Sequence, residues 1–116
     1  MLTTKLKIEL IQIPIKNNSS FEETTKQYFE NLDCIVYYSK NLPKNFQAFH
    51  NIKVSNGIPD LYVENNTEYF YVECKKLNDG LRINQIKWIA KHHKEKVLIA
   101  IPNKSVQQQN ILLNEK

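Results

Sequence analysis

The chain is poor in the features that mark secreted, repetitive or membrane-spanning proteins. Its two cysteines, Cys34 and Cys74, are too few for a disulfide framework, and both lie in apolar runs where reduced packing residues are expected. Only two glycines and four prolines occur, and no internal repeat or low-complexity segment is present. No apolar run approaches the ~18 residues that a membrane helix needs, and the first residues lack a signal-peptide pattern. We therefore expect a cytoplasmic protein, of a prokaryotic cell or of a cell that hosts a virus.

Length and charge indicate one small domain that binds a polyanion. With 116 residues, of which 41% are hydrophobic, the chain can build one core but not two. We expect a single domain over 1–116, with its core at about 20–102. The formal net charge of +4 favours polyanionic partners such as nucleic acid over acidic proteins or neutral metabolites.

Two carboxylates and a lysine stand in what otherwise reads as buried β-structure. Asp60 precedes one apolar run, and Glu73 and Lys75 close another. Charges at the end of a core strand are costly to desolvate unless they pair or bind a cation. The pattern therefore predicts either a metal-dependent phosphodiesterase site or a buried ion pair.

The residues between the two runs predict an antiparallel hairpin that brings these groups together. Asn65-Asn66 tolerates the positive φ of a two-residue turn, and with that loop Asp60 faces Tyr71. Because side chains two apart on a strand share a face, Glu73 and Lys75 stand on the same side as Asp60. Asp60 and Glu73 are then diagonal neighbours with Cβ atoms roughly 7 Å apart, so that both can reach one Mg²⁺.

A first helix is predicted upstream, and helical phase separates its two leading acids. Ser20 followed by Glu23 fits a capping box, so the helix begins there and continues to about Asn31. Its apolar stripe is expected to comprise Phe21, Thr25, Tyr28, Phe29 and Leu32. Glu22 lies at the edge of that stripe, whereas Glu23 is on the solvated side. Glu22 is therefore the candidate for an acid that faces the site, and a plain surface charge is the alternative.

A second helix is predicted from Ile83 to Lys94. Its buried arc is expected to comprise Ile83, Ile86, Ile89 and Ala90. Another side carries a basic stripe of Lys87, Lys91 and Lys94, which fits a phosphate backbone and a solvated helix face about equally well. A third side carries Gln85, Trp88 and His92.

The remaining segments complete an α/β pattern. Strands are predicted at Ile35–Tyr38 and Lys96–Ile101, which gives the core order α-β-β-β-α-β. Before the core, Lys5–Lys16 changes the parity of its alternation, which fits a strand with a bulge or two short strands, as an edge strand or a dimer contact. Asn41–Val54 reads as a loop that could contact substrate, and the tail from Ser105 reads as a short helix.

Taken together, these motifs resemble those of the PD-(D/E)xK nuclease superfamily. The motif is Pro59-Asp60 followed by Glu73-Cys74-Lys75, and the resemblance runs from about Phe21 to Pro102. A bare motif of this kind is weakly specific, because short motifs recur by chance. The combination with an upstream acid on the first helix is more specific.

Two branches of the superfamily are most similar. In the virus-type replication–repair nuclease family a glycine precedes the motif, as Gly57 does here, and a glutamine with an aromatic follows, as Gln85 and Trp88 do. The small archaeal Holliday-junction resolvases are close to it. The chain departs from many relatives in the charged run His92–Lys96 before its last strand and in a second lysine, Lys76.

The resemblance implies a fold and a reaction. The fold is a restriction-endonuclease-like core, a mixed central sheet flanked by helices. The reaction is Mg²⁺-dependent hydrolysis of DNA phosphodiester bonds, on a Holliday junction or other branched DNA, by a homodimer. The alternatives are a restriction-type or repair nuclease acting on linear duplex, and a non-catalytic nucleic-acid-binding module with the same fold.

The resemblance also assigns roles to residues. Asp60, Glu73 and the main-chain carbonyl of Cys74 would hold one Mg²⁺ or Mn²⁺, and Glu22 would bind a second ion or a bridging water. Lys75 would orient the attacking water and Gln85 would lie near the reacting groups. The expected nucleic-acid contacts are Lys76, Lys87, Lys91 and Lys94.

Overall fold

The computed structural model describes residues 8–15, 19–76 and 79–103. It contains five strands and three α-helices in these ranges, in the order β1 Ile8–Pro14, α1 Phe21–Glu30, β2 Ile35–Tyr38, α2 Lys44–His50, β3 Leu61–Glu64, β4 Tyr69–Cys74, α3 Ile83–Lys91 and β5 Val97–Asn103. A short 3₁₀ turn at Ser39–Asn41 follows β2. None of the described helices has the length and apolar character to cross a bilayer. The helix predicted after Ser105 lies outside the described residues.

The strands form one mixed sheet in the order β1-β5-β4-β3-β2. β1, β5 and β4 run parallel to one another, while β4, β3 and β2 are joined by antiparallel pairing. The expected α/β class with a mixed central sheet is therefore confirmed. The core elements also follow one another along the chain in the predicted order, with α2 as an addition.

Helices cover both faces of the sheet, and this determines where the charged residues lie. α1 packs on one face through Phe29, against a core that includes Phe70 and Val72. α3 packs on the other face through Trp88 and Ile89. Strand residues alternate between these two cores, because successive side chains point to opposite faces. The charged residues Asp60, Glu73 and Lys75 lie on this second face, at one edge of the sheet.

The hairpin between β3 and β4 differs from its predicted register. Glu64 pairs with Tyr69, so four residues, Asn65 to Glu68, form the loop instead of two. Asn65 causes the longer loop, because its Oδ1 accepts hydrogen bonds of 2.8 Å from the main-chain N–H groups of both Thr67 and Glu68. The register moves by two residues, so every side chain keeps its predicted face.

β1 is one continuous edge strand, and the predicted bulge is absent from it. Its register with β5 runs unbroken from Ile8 opposite Val97 to Pro14 opposite Asn103. The change in alternation has another cause: Ile13 is fully buried on the α1 side, whereas Leu10, on the opposite side, is 71% exposed. No described helix covers that second side of β1. The apolar residues on it are therefore exposed, and the pattern of alternation does not show which side of the strand is buried.

The two helices predicted for the core are present, but their ends and buried sides differ from the prediction. α1 begins as predicted, with the Ser20 Oγ accepting from the Glu23 N–H at 3.1 Å, but Leu32 lies beyond the helix and is 58% exposed. α3 ends at Lys91, and its predicted buried arc is only partly right. Ile89 is buried, but Ile83 is 69% and Ile86 50% exposed, and Ala90 is exposed as well. The stretch predicted as a loop contains α2, whose Phe46 packs against the second core.

Candidate active site

All five predicted catalytic residues line one cleft of about 400 Å³ at the edge of the sheet. They are Glu22, Asp60, Glu73, Lys75 and Gln85. The cleft lies where β3 begins, β4 ends and α3 begins, with the first turn of α1 at its rim. Residues from four separate elements thus converge on the position that the hairpin pattern predicted for the carboxylates.

Main-chain hydrogen bonds hold Asp60 beside the end of β4. Its Oδ2 accepts from the Cys74 N–H at 2.8 Å, and its carbonyl accepts from the Ser39 N–H at 2.9 Å. Extending the β3–β4 register by one residue brings Asp60 level with Glu73, so the two acids are directly opposite rather than diagonal. The observed register therefore brings the carboxylates closer together than the predicted one.

Gln85 links the second carboxylate to the lysine. Its Nε2 donates to Glu73 Oε2 at 2.7 Å, and its Oε1 accepts from Lys75 Nζ at 2.7 Å. The same Oε1 accepts from the Arg82 N–H at 2.8 Å, which fixes the amide at the start of α3. Lys75 Nζ also lies 3.7 Å from Glu73 Oε2. This network explains why Gln85, and not Ile83 or Ile86 of the predicted arc, turns toward the sheet.

Nearby lysines only partly offset the negative charge of the carboxylates. Burial, and then the negative charge of Asp60, raises the pKa of Glu73 from an ordinary 4.5 to about 7. Burial and the charge of Asp60 also raise the pKa of Glu22, which is on the exposed rim. A cation between these groups would relieve both effects, because an opposite charge favours the ionised carboxylate.

The donor set fits a hard divalent cation. Carboxylate and carbonyl oxygens are the ligands that Mg²⁺ and Mn²⁺ prefer, and each carboxylate keeps acceptor capacity beyond the hydrogen bonds described. Within residues 8–15, 19–76 and 79–103, no group of three His, Cys, Asp or Glu side chains is arranged to hold an ion. An ion in this cleft would therefore use the Cys74 carbonyl, or an oxygen from substrate, beside Asp60 and Glu73.

Gly57 allows α3 to approach the cleft. Its φ of +89° is in the left-handed region, and a Cβ at this position would lie 2.2 Å from the carbonyl oxygen of Asn84. Real Cβ atoms do not tolerate that distance, so a side chain here would push the start of α3 away. Because Gln85 follows Asn84 directly, Gly57 also determines how closely Gln85 approaches Glu73.

The side chain and the main chain of Cys74 lie in different environments. Its thiol packs against the α1 core, where burial raises the pKa of the thiol to about 12, while its main chain borders the cleft. Both Cys34 and Cys74 are free thiols, as expected from the sequence. A thiol with a raised pKa is a poor nucleophile and metal ligand at neutral pH.

The sequence did not single out two cations that line the cleft, Lys40 and Arg82. The charge of Lys40 lowers the pKa of Glu22 and so opposes the effect of Asp60. One signal was available for Lys40: it comes shortly after the predicted strand Ile35–Tyr38, which in the structure pairs with β3 and places Tyr38 opposite Leu61, next to Asp60. Arg82 gave no such signal, because it precedes a helix whose orientation depends on tertiary contacts.

The predicted nucleic-acid contacts lie outside the cleft. Lys76, Lys87, Lys91 and Lys94 are all exposed. On α3, Lys87 and Lys91 are on the side away from the buried Trp88 and Ile89, so that face is solvated. The structure therefore separates the basic stripe from the candidate active site, and its contact with DNA stays a prediction.

Comparisons with known proteins found no matching family model, no matching curated protein and no matching solved structure.

Proposed function

We propose that this chain is a metal-dependent nuclease of the PD-(D/E)xK type that hydrolyses phosphodiester bonds in branched DNA. One observation carries the proposal: Asp60, Glu73 and Lys75 share one cleft, and the amide of Gln85 joins Glu73 to Lys75. A buried ion pair alone leaves the second carboxylate, Asp60, unexplained, because burial and then the charge of Asp60 raise the pKa of Glu73 above its ordinary value.

Asp60, Glu73 and the Cys74 carbonyl would hold Mg²⁺ or Mn²⁺ in this function. The bound ion would supply Lewis-acid stabilisation of phosphate charge and a lower pKa for its water. Glu22, on the rim, would contribute a further carboxylate for a second ion or for a bridging water. The protein supplies rigidity, since Asp60 and Glu73 each receive hydrogen bonds of 2.7–2.8 Å from fixed donors.

Lys75 supplies a buried positive charge beside the carboxylates. It is 8% exposed, and Gln85 holds its ammonium group at the cleft by accepting one of its three protons. The other two protons are available to orient an attacking water and to stabilise the negative charge that develops on the phosphate. Lys76 is exposed and is not among the lining residues of the cleft, so it does not replace Lys75 in this role.

Charge supports DNA as the substrate, and size supports a homodimer if a junction is cut. A net charge of +4 attracts a polyanion, and a chain of 116 residues offers one such cleft within the described residues. Cutting two strands of a junction then requires two copies, so a homodimer is part of the proposal. Linear duplex is the alternative substrate.

The test is cleavage of labelled four-way junction, flap, linear duplex and single-stranded DNA, in Mg²⁺ or Mn²⁺. The variants are Asp60→Ala and Lys75→Ala. Lys26→Ala is the matched control, because Lys26 forms a surface ion pair with Glu30 on α1, and such pairs contribute little. We expect paired nicks in the junction, loss of at least about 100-fold in both site variants, and unchanged activity in the control.

The other outcomes are equally informative. Cutting of linear duplex in preference to the junction would replace the branched substrate with the linear one. Tight binding without products in either metal would show a non-catalytic module. Full activity of Lys75→Ala would refute the role given to Lys75.

A further inference from the structure

An aromatic pocket lies at the opposite end of the sheet face that carries the carboxylates. It has a volume of about 160 Å³ and lies between the C-terminal ends of α2 and α3. Strand side chains at every second position connect the two sites, since these positions share a face. The rings that line the pocket are Tyr62, Tyr69, Tyr71, Trp88, His50 and His92.

The volume indicates a small occupant. Sites for drug-sized ligands span about 300–1,000 Å³, and one water occupies about 30 Å³ of liquid volume. A pocket of about 160 Å³ therefore holds one compact ring system and no attached sugar or phosphate.

Ring contacts keep the wall of the pocket in place. Trp88 stacks on His92 with a centroid distance of 4.0 Å and an interplanar angle of 17°, and Tyr71 meets Trp88 edge to face at 4.9 Å. Tyr62 stacks on Tyr69 at 5.7 Å. Because the rings already support one another, a planar ligand would meet a preorganised aromatic surface.

The polar atoms of the wall suit a heteroaromatic ligand. Trp88 Nε1 is buried and finds no acceptor among the described residues, so an acceptor that reached it would recover the free energy of its desolvation. His92 Nδ1 lies 2.8 Å from the Trp88 carbonyl and must donate to it, which leaves Nε2 as an acceptor on the neutral ring. Two rings of the wall thus carry one unpaired donor, Trp88 Nε1, and one acceptor, His92 Nε2.

The negative charges around the pocket disfavour a phosphate inside it. Two helix C-termini, which carry partial negative charge, and the carboxylate of Glu95 border it. Lys53 also borders it, and exposed Lys94 adjoins Glu95 in sequence, so a phosphate backbone could pass outside. A quaternary ammonium ion would suit the rings, but it would face Lys53 and has no acceptor to offer Trp88.

We propose that this pocket binds a nucleobase extruded from DNA, with its ring stacked on the aromatic wall. The inference rests on the proposed function to the extent that the ligand is DNA. Extrusion costs least where a base is already unpaired or poorly stacked. The pocket would therefore favour branched, frayed or single-stranded DNA over continuous duplex, by a contact separate from the metal ligands.

The chain's only tryptophan, Trp88, reports on this pocket directly. The full chain is titrated, in EDTA to prevent cleavage, with a short labelled single-stranded oligonucleotide, following tryptophan fluorescence and label anisotropy together. A matched oligonucleotide with abasic sites and tetramethylammonium ion serve as further probes. The variants are Tyr69→Ala and Tyr69→Phe, because Tyr69 is 46% exposed and its truncation leaves the core intact. Phe49→Ala removes an 85% exposed ring that does not line the pocket, and is the control.

We expect saturable quenching of Trp88 by the oligonucleotide and less by its abasic form. Tyr69→Ala should weaken binding roughly 5- to 100-fold, the loss that removal of one base–aromatic stack brings, while Tyr69→Phe and Phe49→Ala stay within about twofold of wild type. The same quenching in Lys75→Ala would separate base binding from cleavage.

Three results would overturn the inference. DNA binding without any change in Trp88 fluorescence, and with wild-type affinity in Tyr69→Ala, would remove the pocket and leave the nuclease proposal intact. Quenching by tetramethylammonium and not by DNA would identify a cation cage. Absence of DNA binding would refute the base pocket, and the junction cleavage assay would then decide the nuclease proposal separately. Conversely, quenching without cleavage under any metal condition would refute the nuclease proposal alone.

Discussion

Replacing Glu73 with glutamine should stabilise the metal-free protein at alkaline pH while abolishing the proposed activity. Glu73 is 3% exposed, and its pKa is raised from 4.5 to about 7 by burial and by the charge of Asp60. A shift of that size corresponds to about 3 kcal/mol of unfavourable ionisation in the folded state. Glutamine has nearly the same shape and cannot ionise, so it avoids this cost.

The sign of the effect depends on pH. Below about pH 4.5 the Glu73 carboxyl is protonated in both the folded and the unfolded chain, so the substitution changes little. Between pH 4.5 and about 7 the unfolded chain releases the proton first, and wild type loses stability. Above pH 7 the full cost is present. The advantage of Glu73→Gln should therefore appear in this window and then level off at about 1–3 kcal/mol, because the partly favourable contact with Lys75 is also lost.

Urea unfolding in EDTA at pH 4.5, 6 and 8.5 measures this difference in the free energy of unfolding. Glu23→Gln is the control, since Glu23 is exposed on the same molecule and does not line the cleft. A variant less stable than wild type at pH 8.5, or a difference that does not change with pH, would refute the electrostatic reasoning. Nuclease activity, measured in parallel with Mg²⁺, should fall at least about 100-fold.

Three further predictions test the structure around the cleft. Gly57→Ala should lower the free energy of unfolding in urea by about 2 kcal/mol or more, because its φ is +89° and its Cβ would lie 2.2 Å from a carbonyl oxygen. The control is Gly80→Ala, whose Cβ meets nothing within 4 Å and should change that free energy by less than about 0.5 kcal/mol. Equal effects at the two glycines would contradict the close approach of α3. Ile13→Ala should lower the free energy of unfolding by about 2–4 kcal/mol, because Ile13 is fully buried. Leu10→Ala, at a 71% exposed position, should lower it by less than about 0.5 kcal/mol. The reverse order would mean that the opposite face of β1 is the buried one. Mg²⁺ or Mn²⁺ should raise the melting temperature of wild type above pH 7 and fail to do so in Asp60→Ala; an equal rise in both would place the ion elsewhere.

The sequence by itself determined which residues could meet at the site. The strict period of two in β-strands assigned Asp60, Glu73 and Lys75 to one face, and the four-residue loop that replaced the predicted turn left this parity unchanged. Helical phase and a capping serine likewise predicted α1 and the direction of Glu22. These inferences held because they depend on local backbone geometry, which neighbouring elements do not alter.

Tertiary contacts decided the rest. The sequence of α3 predicted a buried isoleucine arc, yet the hydrogen bonds of Gln85 to Glu73 and Lys75 rotate the helix so that only Ile89 of its isoleucines is buried. Lys40 and Arg82 enter the cleft only because separate elements end at the same edge. A periodic pattern states which residues of one element lie together, but which face of a helix is buried depends on the partners that it meets. Only the folded chain supplies those partners, and with them the carboxylate-lined cleft and the aromatic pocket beyond it.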